Sequence, residues 1–420
     1  MAWQPYHTVW ALLAFGWIGN YVVRMALSPL LGPVMTEFGL SHAEAGLLFS
    51  VFFYGYVFMQ VPAGLLGDRF GRKRVLIAGI LLVALGGLLT GLARTLVVLG
   101  LARLVTGLAQ GMYFSNDRPI VAATTPRDRL ALGQGVSFSG LGLGTALGVI
   151  VGGALGEVMP WRSVFLVLML WPLVAAALIG RFVRDPSVAS GRAPAGPDEA
   201  GMGVAEVLWH RDLWTLGVAG LAPLWMQWLI GTWGPALFAE VGVRDLGRSA
   251  LYASLLGVAA PPGLLTMGLL SDRLLRHGIA RKAVIAASIL CMALAGAAMG
   301  LTVARRGPAW LLAVLVFVTS FFLWGGWAPV YATMAELFPP RVMGMAFGLL
   351  NAICFVSSLL VPYISGWMKD WSGSFAGSCY LAAVFGLLAV PVAMAVRPAF
   401  GLRVGGVTGG SSRPTRLSRR

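Results

Sequence analysis

The chain has 420 residues, 58% of them hydrophobic and only 11% charged, with a mean hydropathy of +0.81. A soluble core of that size cannot hide so much apolar surface, so a soluble globular fold is excluded and an integral membrane protein is indicated. The formal net charge of +15 would raise nucleic acid as a partner in a soluble protein; here its placement along the chain decides the matter.

A helix needs roughly 20 apolar residues to cross the hydrocarbon layer. Twelve such runs occur, with cores near 10–30, 46–66, 75–93, 97–121, 132–156, 163–182, 214–238, 249–271, 283–302, 309–334, 343–366 and 376–396. The N-terminal MAWQPYHTVW carries no Lys or Arg, and no small-residue cleavage site follows the first run, so that run reads as a retained helix and not a signal peptide. With both termini placed in the cytoplasm, 21 of the 31 Lys and Arg fall in cytoplasmic segments, 7 outside and 3 within helices. This is the positive-inside pattern, expected of a multi-pass protein of the plasma membrane, or of the inner membrane if bacterial; it argues against nucleic acid.

The first helix contains Arg24, and the fourth contains Arg103, Asp117 and Arg118. These are the clear ionisable residues inside the apolar cores, and each costs on the order of 2.5 to 3.5 kcal/mol at a helix centre. Helix one runs outward and helix four inward, so Arg24 and Arg103 are expected at similar depth, two cations converging on one level. Arg103, Gln110 and Asp117 are spaced by sevens and share one helix face, while about 21 Å of rise separates Arg103 from Asp117. Two arginines with no nearby acid suit an anion, because guanidinium binds carboxylate or phosphate bidentately and keeps its charge when desolvated. Asp117 stands near the inner end of helix four, within reach of the basic cluster 72–74, and two roles stay open for it: proton carrier or gate latch. Arg118 is about 100° round the helix, so it need not face Asp117 and is expected to snorkel or to join a latch.

Helix five carries Gly140, Gly144, Gly148, Gly152 and Gly156 in steps of four, with Gly142 and Gly153 besides, a smooth ridge suited to a sliding contact between moving halves. After helix six comes the longest polar stretch, RDPSVASGRAPAGPDEAGMG, with linker composition. The chain thus divides into a six-helix bundle at 1–182, a cytoplasmic linker at 183–212, a second bundle at 213–397 and a basic tail at 398–420 near anionic lipid. GLLGDR at 64–69 and GLLSDR at 268–273 match in five of six positions, 204 residues apart, which marks an internal repeat. Helices seven and ten bring Trp225, Gln227, Trp228, Trp233, Trp324, Trp327 and Tyr331; of these Gln227 and Trp324 are the candidates to hold the organic part of a ligand. Cys291, Cys354 and Cys379 lie inside helices without CxxC spacing, so neither a metal site nor a disulfide framework is expected, and no cofactor motif occurs.

GLLGDRFGRKR at 64–74 is similar to the Gly-x-x-x-Asp-Arg-x-Gly-Arg-Lys/Arg signature of the major facilitator superfamily. The resemblance implies two pseudo-symmetric six-helix bundles, a midplane site lined by helices one, four, seven and ten, and alternating access by rocking. It also implies a gating latch at Gly64, Asp68, Arg69, Gly71, Arg72 and Lys73, echoed by Asp272 and Arg273. Within the superfamily, NYVVRMALSPLLGPV and AQGM resemble the organophosphate antiporters, and the same region resembles the anion:cation symporters. Asn20, Tyr21, Arg24, Arg103, Gln110, Gln227 and Trp324 are then the expected substrate-binding residues. The likeness is partial: Val23 and Gln110 stand where the symporters carry acids, and Gln227 stands where the antiporters carry a second arginine. If protons couple to transport, Asp117 is the remaining acid.

The function expected is secondary transport of a small organic anion, such as a carboxylate, sugar acid or phosphate ester, by a monomer. The alternatives are an exporter of amphipathic compounds and a non-transporting sensor or scaffold. No catalytic constellation is present to suggest an enzyme.

Overall fold

The computed structural model describes residues 3–126, 129–184, 204–338 and 340–397. Among these residues twelve helical segments are long and apolar enough to cross a membrane. They are span 1 (Pro5–Phe38), span 2 (His42–Gly67), span 3 (Arg72–Leu92), span 4 (Leu96–Thr124), span 5 (Gly133–Val158), span 6 (Trp161–Phe182), span 7 (Arg211–Glu240), span 8 (Leu246–Arg276), span 9 (Arg281–Ala304), span 10 (Ala309–Leu337), span 11 (Met345–Ser372) and span 12 (Ala376–Met394). An even number of crossings puts Pro5 and Met394 at the same end, called here the terminal end. Of the expected linker, 185–203 lies outside the described residues, as does the tail at 398–420; a short helix, Val204–Leu208, precedes span 7.

Several spans are broken and not straight. Span 1 interrupts at Ala26, span 6 at Met169, span 8 at Ser254 and Ala259, and span 10 at Gly326. The two halves repeat one plan in detail. Lys73, at the start of span 3, donates from Nζ to the Gly180 carbonyl at the end of span 6; Lys282, at the start of span 9, does the same to the Met394 carbonyl at the end of span 12. In each half a cation thus meets carbonyls that a helix C-terminus leaves unpaired.

Span 5 shows why its glycines recur every fourth residue. A Cβ at Gly144 would lie 2.7 Å from the Tyr21 Cβ and 2.9 Å from the Ile18 backbone, and one at Gly148 would lie 2.9 Å from the Met25 Cβ. The ridge therefore seats span 1 inside its own bundle and is not the moving seam that the sequence suggested. Gly142 and Gly153 point off that ridge toward span 8, at Ala260 and Ala250. One helix carries both surfaces because steps of four trace one face, and Gly142 and Gly153, two and one positions past a member of the series, fall on another.

Between the bundles, span 2 meets span 11 and span 5 meets span 8. Hydrogen bonds across these seams and their flanks gather at the end away from the termini: Ser28 Oγ to the Thr232 carbonyl, His42 and Ala43 to Asp370, and the Gly247 amide to Glu157. There Gly46 abuts the Pro362 backbone, and Gly366 abuts that of His42. Toward the terminal end no such bonds between the bundles occur among the described residues, and Tyr331 on span 10 is 37% exposed. The molecule is closed at one end and opens toward its termini.

Gly144→Ala should lower the melting temperature of the purified protein through an overpacking cost of about 1–3 kcal/mol. Gly64→Ala, where nothing lies within 4 Å of the added carbon, should leave it unchanged or raise it slightly in the same measurement, since alanine is the better helix former.

Candidate substrate site

Spans 1 and 4 run antiparallel and touch through polar rungs. Trp10 Nε1 donates to Thr125 Oγ1 at 2.8 Å, Trp17 Nε1 to Asp117 Oδ2 at 2.7 Å, and Arg24 Nη1 to Gln110 Oε1 at 2.7 Å. The rungs step by seven along span 1 and by seven or eight along span 4. A seven-residue step is about two helical turns and 10.5 Å, so one face of each helix supplies every rung. The shared face read from Arg103, Gln110 and Asp117 is real, but its members look toward different neighbours.

Arg24 sits where the two bundles meet, 1% exposed. Its guanidinium carbon lies 4.1 Å from the Phe52 ring centroid, 4.2 Å from Trp228, 4.7 Å from Phe53, 5.0 Å from Tyr21 and 5.9 Å from Tyr56. Four of these rings belong to the first half and Trp228 belongs to the second, set 4.6 Å from Phe53 edge to face. Desolvated cation–π contacts offset part of the cost of burial, at about 2 kcal/mol for a good one.

The arginine's hydrogen bonds are left incomplete. Arg24 Nε and Nη2 are buried without a partner among the described residues, and so are Gln110 Nε2, Trp228 Nε1, Gln60 Nε2 and Asn351 Nδ2. Tyr56, whose ring faces Arg24, lies beside both Gln60 and Asn351 and so links the last two to the arginine. Asn20, one turn before Arg24 on the same helix face, is fully buried with both amide atoms unpartnered. Apart from the Asn20 oxygen, these atoms are N–H donors. A surplus of donors around a buried cation is chemically complementary to an anion carrying several acceptor oxygens.

Other expected residues lie elsewhere. Arg103 lies close enough to Arg24 to feel its charge, but its Nη2 turns toward span 3, onto Thr90 Oγ1 at 2.9 Å beside the Phe165 ring, and its Nε is left without a partner among the described residues. Equal depth fixed the level but not the direction of the side chain. Trp324 uses its Nε1 on the Leu256 carbonyl at 2.8 Å, tying span 10 to span 8 inside the second bundle. Gln227 is buried on span 7 next to Trp228 in sequence. The aromatic run at Phe52, Phe53 and Tyr56 is not among the expected residues; three aromatics at i, i+1 and i+4 in mid-span are the signal that could have found it.

Asp117 and Arg118 form a pair after all, contrary to the expectation from helix geometry. Arg118 Nη2 lies 2.7 Å from Asp117 Oδ2, and its Nε bonds both carboxylate oxygens at 3.2 and 3.0 Å. The 100° between neighbours describes Cβ directions, whereas the long arginine side chain folds back along the helix. Its remaining donor, Nη1, bonds the Gln134 carbonyl and Oε1 on span 5, and Phe138 stacks on the guanidinium. The partners given to Asp117 are thus Trp17 and Arg118, and not the 72–74 cluster.

In the expected gating loop, no neighbour lies within 4 Å of a Cβ built on Gly64. Arg69 is exposed over the Phe70 ring, Gly71 turns the chain at φ +96°, and the Asp68 side chain lies outside the described residues. The counterpart in the second half is an ion cluster: Arg281 Nη1 bonds Asp272 Oδ1 at 2.6 Å, and its Nε bonds Glu336 Oε1 at 2.8 Å. Arg273 belongs to the last turn of span 8. Arg281 and Glu336 were not anticipated; they are far apart in sequence and meet only when spans 8, 9 and 10 assemble.

The chain matches the profile of the Major Facilitator Superfamily over residues 13–280. It is 26% identical to a probable sulfoacetate transporter of Cupriavidus necator over 88% of either chain. It is likewise 26% identical to a hexuronate transporter of Bacillus subtilis, over 92% of this chain and 93% of that one. In fold it is similar to a bacterial homologue of the human lysosomal transporter Spinster, with a TM-score of 0.78 at 15% identity over 94% of this chain and 98% of that one. A profile match across more than half its length, on a framework of twelve spans in two repeated halves, makes the chain a member of the major facilitator superfamily.

Proposed function

We propose that the protein is a secondary transporter of a small organic anion, working by alternating access with Arg24 as the anion anchor. The observation that carries this reading is the donor surplus at the bundle interface: a buried guanidinium with two unpartnered N–H groups, ringed by amide and indole donors. Relatives named for sulfoacetate, hexuronate and galactarate or glucarate support the substrate class, since all of these are acids. An exporter of amphipathic compounds or a silent scaffold has no use for so many acceptorless donors. Because Trp228 and Asn351 come from the second half and Arg24 and Gln110 from the first, a bound anion would bridge the bundles and draw them together around it.

The positive-inside pattern supports placing the terminal end in the cytoplasm of a plasma-membrane protein, and the closed end outside. On that reading the structure is inward-open. The basic loop at Gly64–Lys73 then lies on the open side, where a Cβ built on Gly64 meets nothing within 4 Å.

For Asp117, the bidentate guanidinium and the Trp17 indole support a positioning role. The carboxylate fixes span 1 against spans 4 and 5 two turns below Arg24, and so fixes the anchor itself.

Arg24→Gln should abolish saturable uptake or counterflow of hexuronates and sulfonated carboxylates in proteoliposomes. Arg24→Lys, which keeps the charge but loses the fork, should weaken half-saturation at least about tenfold. Movement of cationic dyes alone by the native protein would overturn the anion reading. Asp117→Asn should destabilise the protein by about 3–5 kcal/mol, because it strands the Arg118 charge, and Asp117→Asn with Arg118→Gln should recover part of that loss in thermal melts. Should Asp117→Asn instead melt normally and lose only the pH dependence of uptake, the carboxylate is a proton site and the positioning role fails.

A further inference from the structure

The closed end repeats one arrangement on both seams. Span 2 begins on its own cap, Ser41, whose Oγ accepts from the Glu44 amide, and span 8 begins on Asp245, whose Oδ1 accepts from the Arg248 amide. In each helix the cap serves the third N–H and leaves the first two without an intrahelical partner. The opposite bundle supplies both missing partners on span 2 and one of the two on span 8. Asp370 of span 11 accepts from the His42 amide at 3.1 Å and the Ala43 amide at 2.8 Å, and Glu157 of span 5 accepts from the Gly247 amide at 2.7 Å.

The correspondence is positional. Ser41 and Asp245, Ala43 and Gly247, and Glu44 and Arg248 are each 204 residues apart, the separation that relates GLLGDR to GLLSDR. The donors of the carboxylates, spans 5 and 11, are likewise the fifth helix of each half. Gly247 is also the residue that lets the carboxylate approach, since a Cβ there would lie 2.9 Å from Glu157 Oε2.

We propose that this end is locked by two carboxylates exchanged between the bundles, Asp370 and Glu157, each capping free amides in the first turn of the other bundle's second helix, so that opening the end uncaps both helices together. A helix N-terminus carries about half a positive charge, and a carboxylate within its first turn is held by charge as well as by hydrogen bonds. When the bundles rock apart, water takes over both partners, and the partial exposure of Asp370 (30%) keeps that exchange reversible. The His42 ring adds a further contact, Nδ1 to Asp370 Oδ1 at 2.7 Å, on the span 2 side only. Neither carboxylate touches the cage around Arg24. The proposal rests on the alternating-access reading above.

The test is a distance measurement on the full chain in lipid nanodiscs. Spin labels go on Thr36→Cys and Ala239→Cys, exposed sites at the closed end of the two halves, in a background with Cys291, Cys354 and Cys379 replaced by alanine. Asp370→Ala and Glu157→Ala should each raise the ratio of long to short distances about tenfold. The double variant should multiply the two effects, since the caps lie on separate seams. Gly247→Ala retains both carboxylates but displaces Glu157, and should reproduce Glu157→Ala. Distance distributions that superpose on the parent in all three single variants, with only the melting temperature lowered, would overturn the proposal and leave the carboxylates as plain helix caps. Substrate counterflow by the unlabelled native protein tests the transport reading separately; its absence would count against transport whatever the distances do.

Discussion

A guanidinium held at the centre of a membrane protein has to be compensated where it sits, and much of this molecule is arranged around that requirement at Arg24. Five N–H donors enter a region without bulk water, and the described structure answers them with one amide oxygen, from Gln110, and a shell of ring faces. Ring faces attract the charge but do not accept hydrogen bonds with the strength of an oxygen. The residue is thus stable enough to stay folded and remains short of acceptors. Because one wall of the shell, Trp228, comes from the second bundle, the comfort of the arginine depends on how closely the halves approach. On the proposed reading, binding and conformational change are coupled through a single side chain.

That arrangement needs Arg24 to be placed accurately, and its place is set from below. The Trp17–Asp117–Arg118–Gln134 chain of contacts ties spans 1, 4 and 5 together two turns away, and the glycine ridge of span 5 lets span 1 lie close enough for the contacts to form. The buried ion pair and the small residues perform one task. Charge fixes the register between helices, and the absent side chains fix their separation.

Much of this was legible in the sequence, for physical reasons that can be stated. Twelve spans follow from composition and run length, and the two-bundle plan follows from the repeat at 64–69 and 268–273. Arg24 stood out because a charge in an apolar run needs a reason. What the sequence did not carry was direction. Arg103 had the right depth and pointed elsewhere, and Trp324 was spent on the Leu256 carbonyl. Arg118 reached back across an angle that looked prohibitive. The aromatic wall at Phe52, Phe53 and Tyr56 was hidden for the opposite reason, since apolar residues in a membrane helix need no explanation and attract none. Helix periodicity gives the origin of each side chain, while long side chains are free to end several ångströms from it.

The equal spacing of the two halves has a mechanical side. From Ser41 to Gly64, and from Asp245 to Gly268, the chain counts the same number of residues, although spans 2 and 8 differ in nearly every side chain and only span 8 is broken along the way. On the proposed reading each of these helices is a fixed-length gauge with a gate fitting at either end. Adding or removing one residue anywhere along it would turn one fitting by about 100° relative to the other and shift it by about 1.5 Å. Within these two helices the residues can drift, but the length cannot.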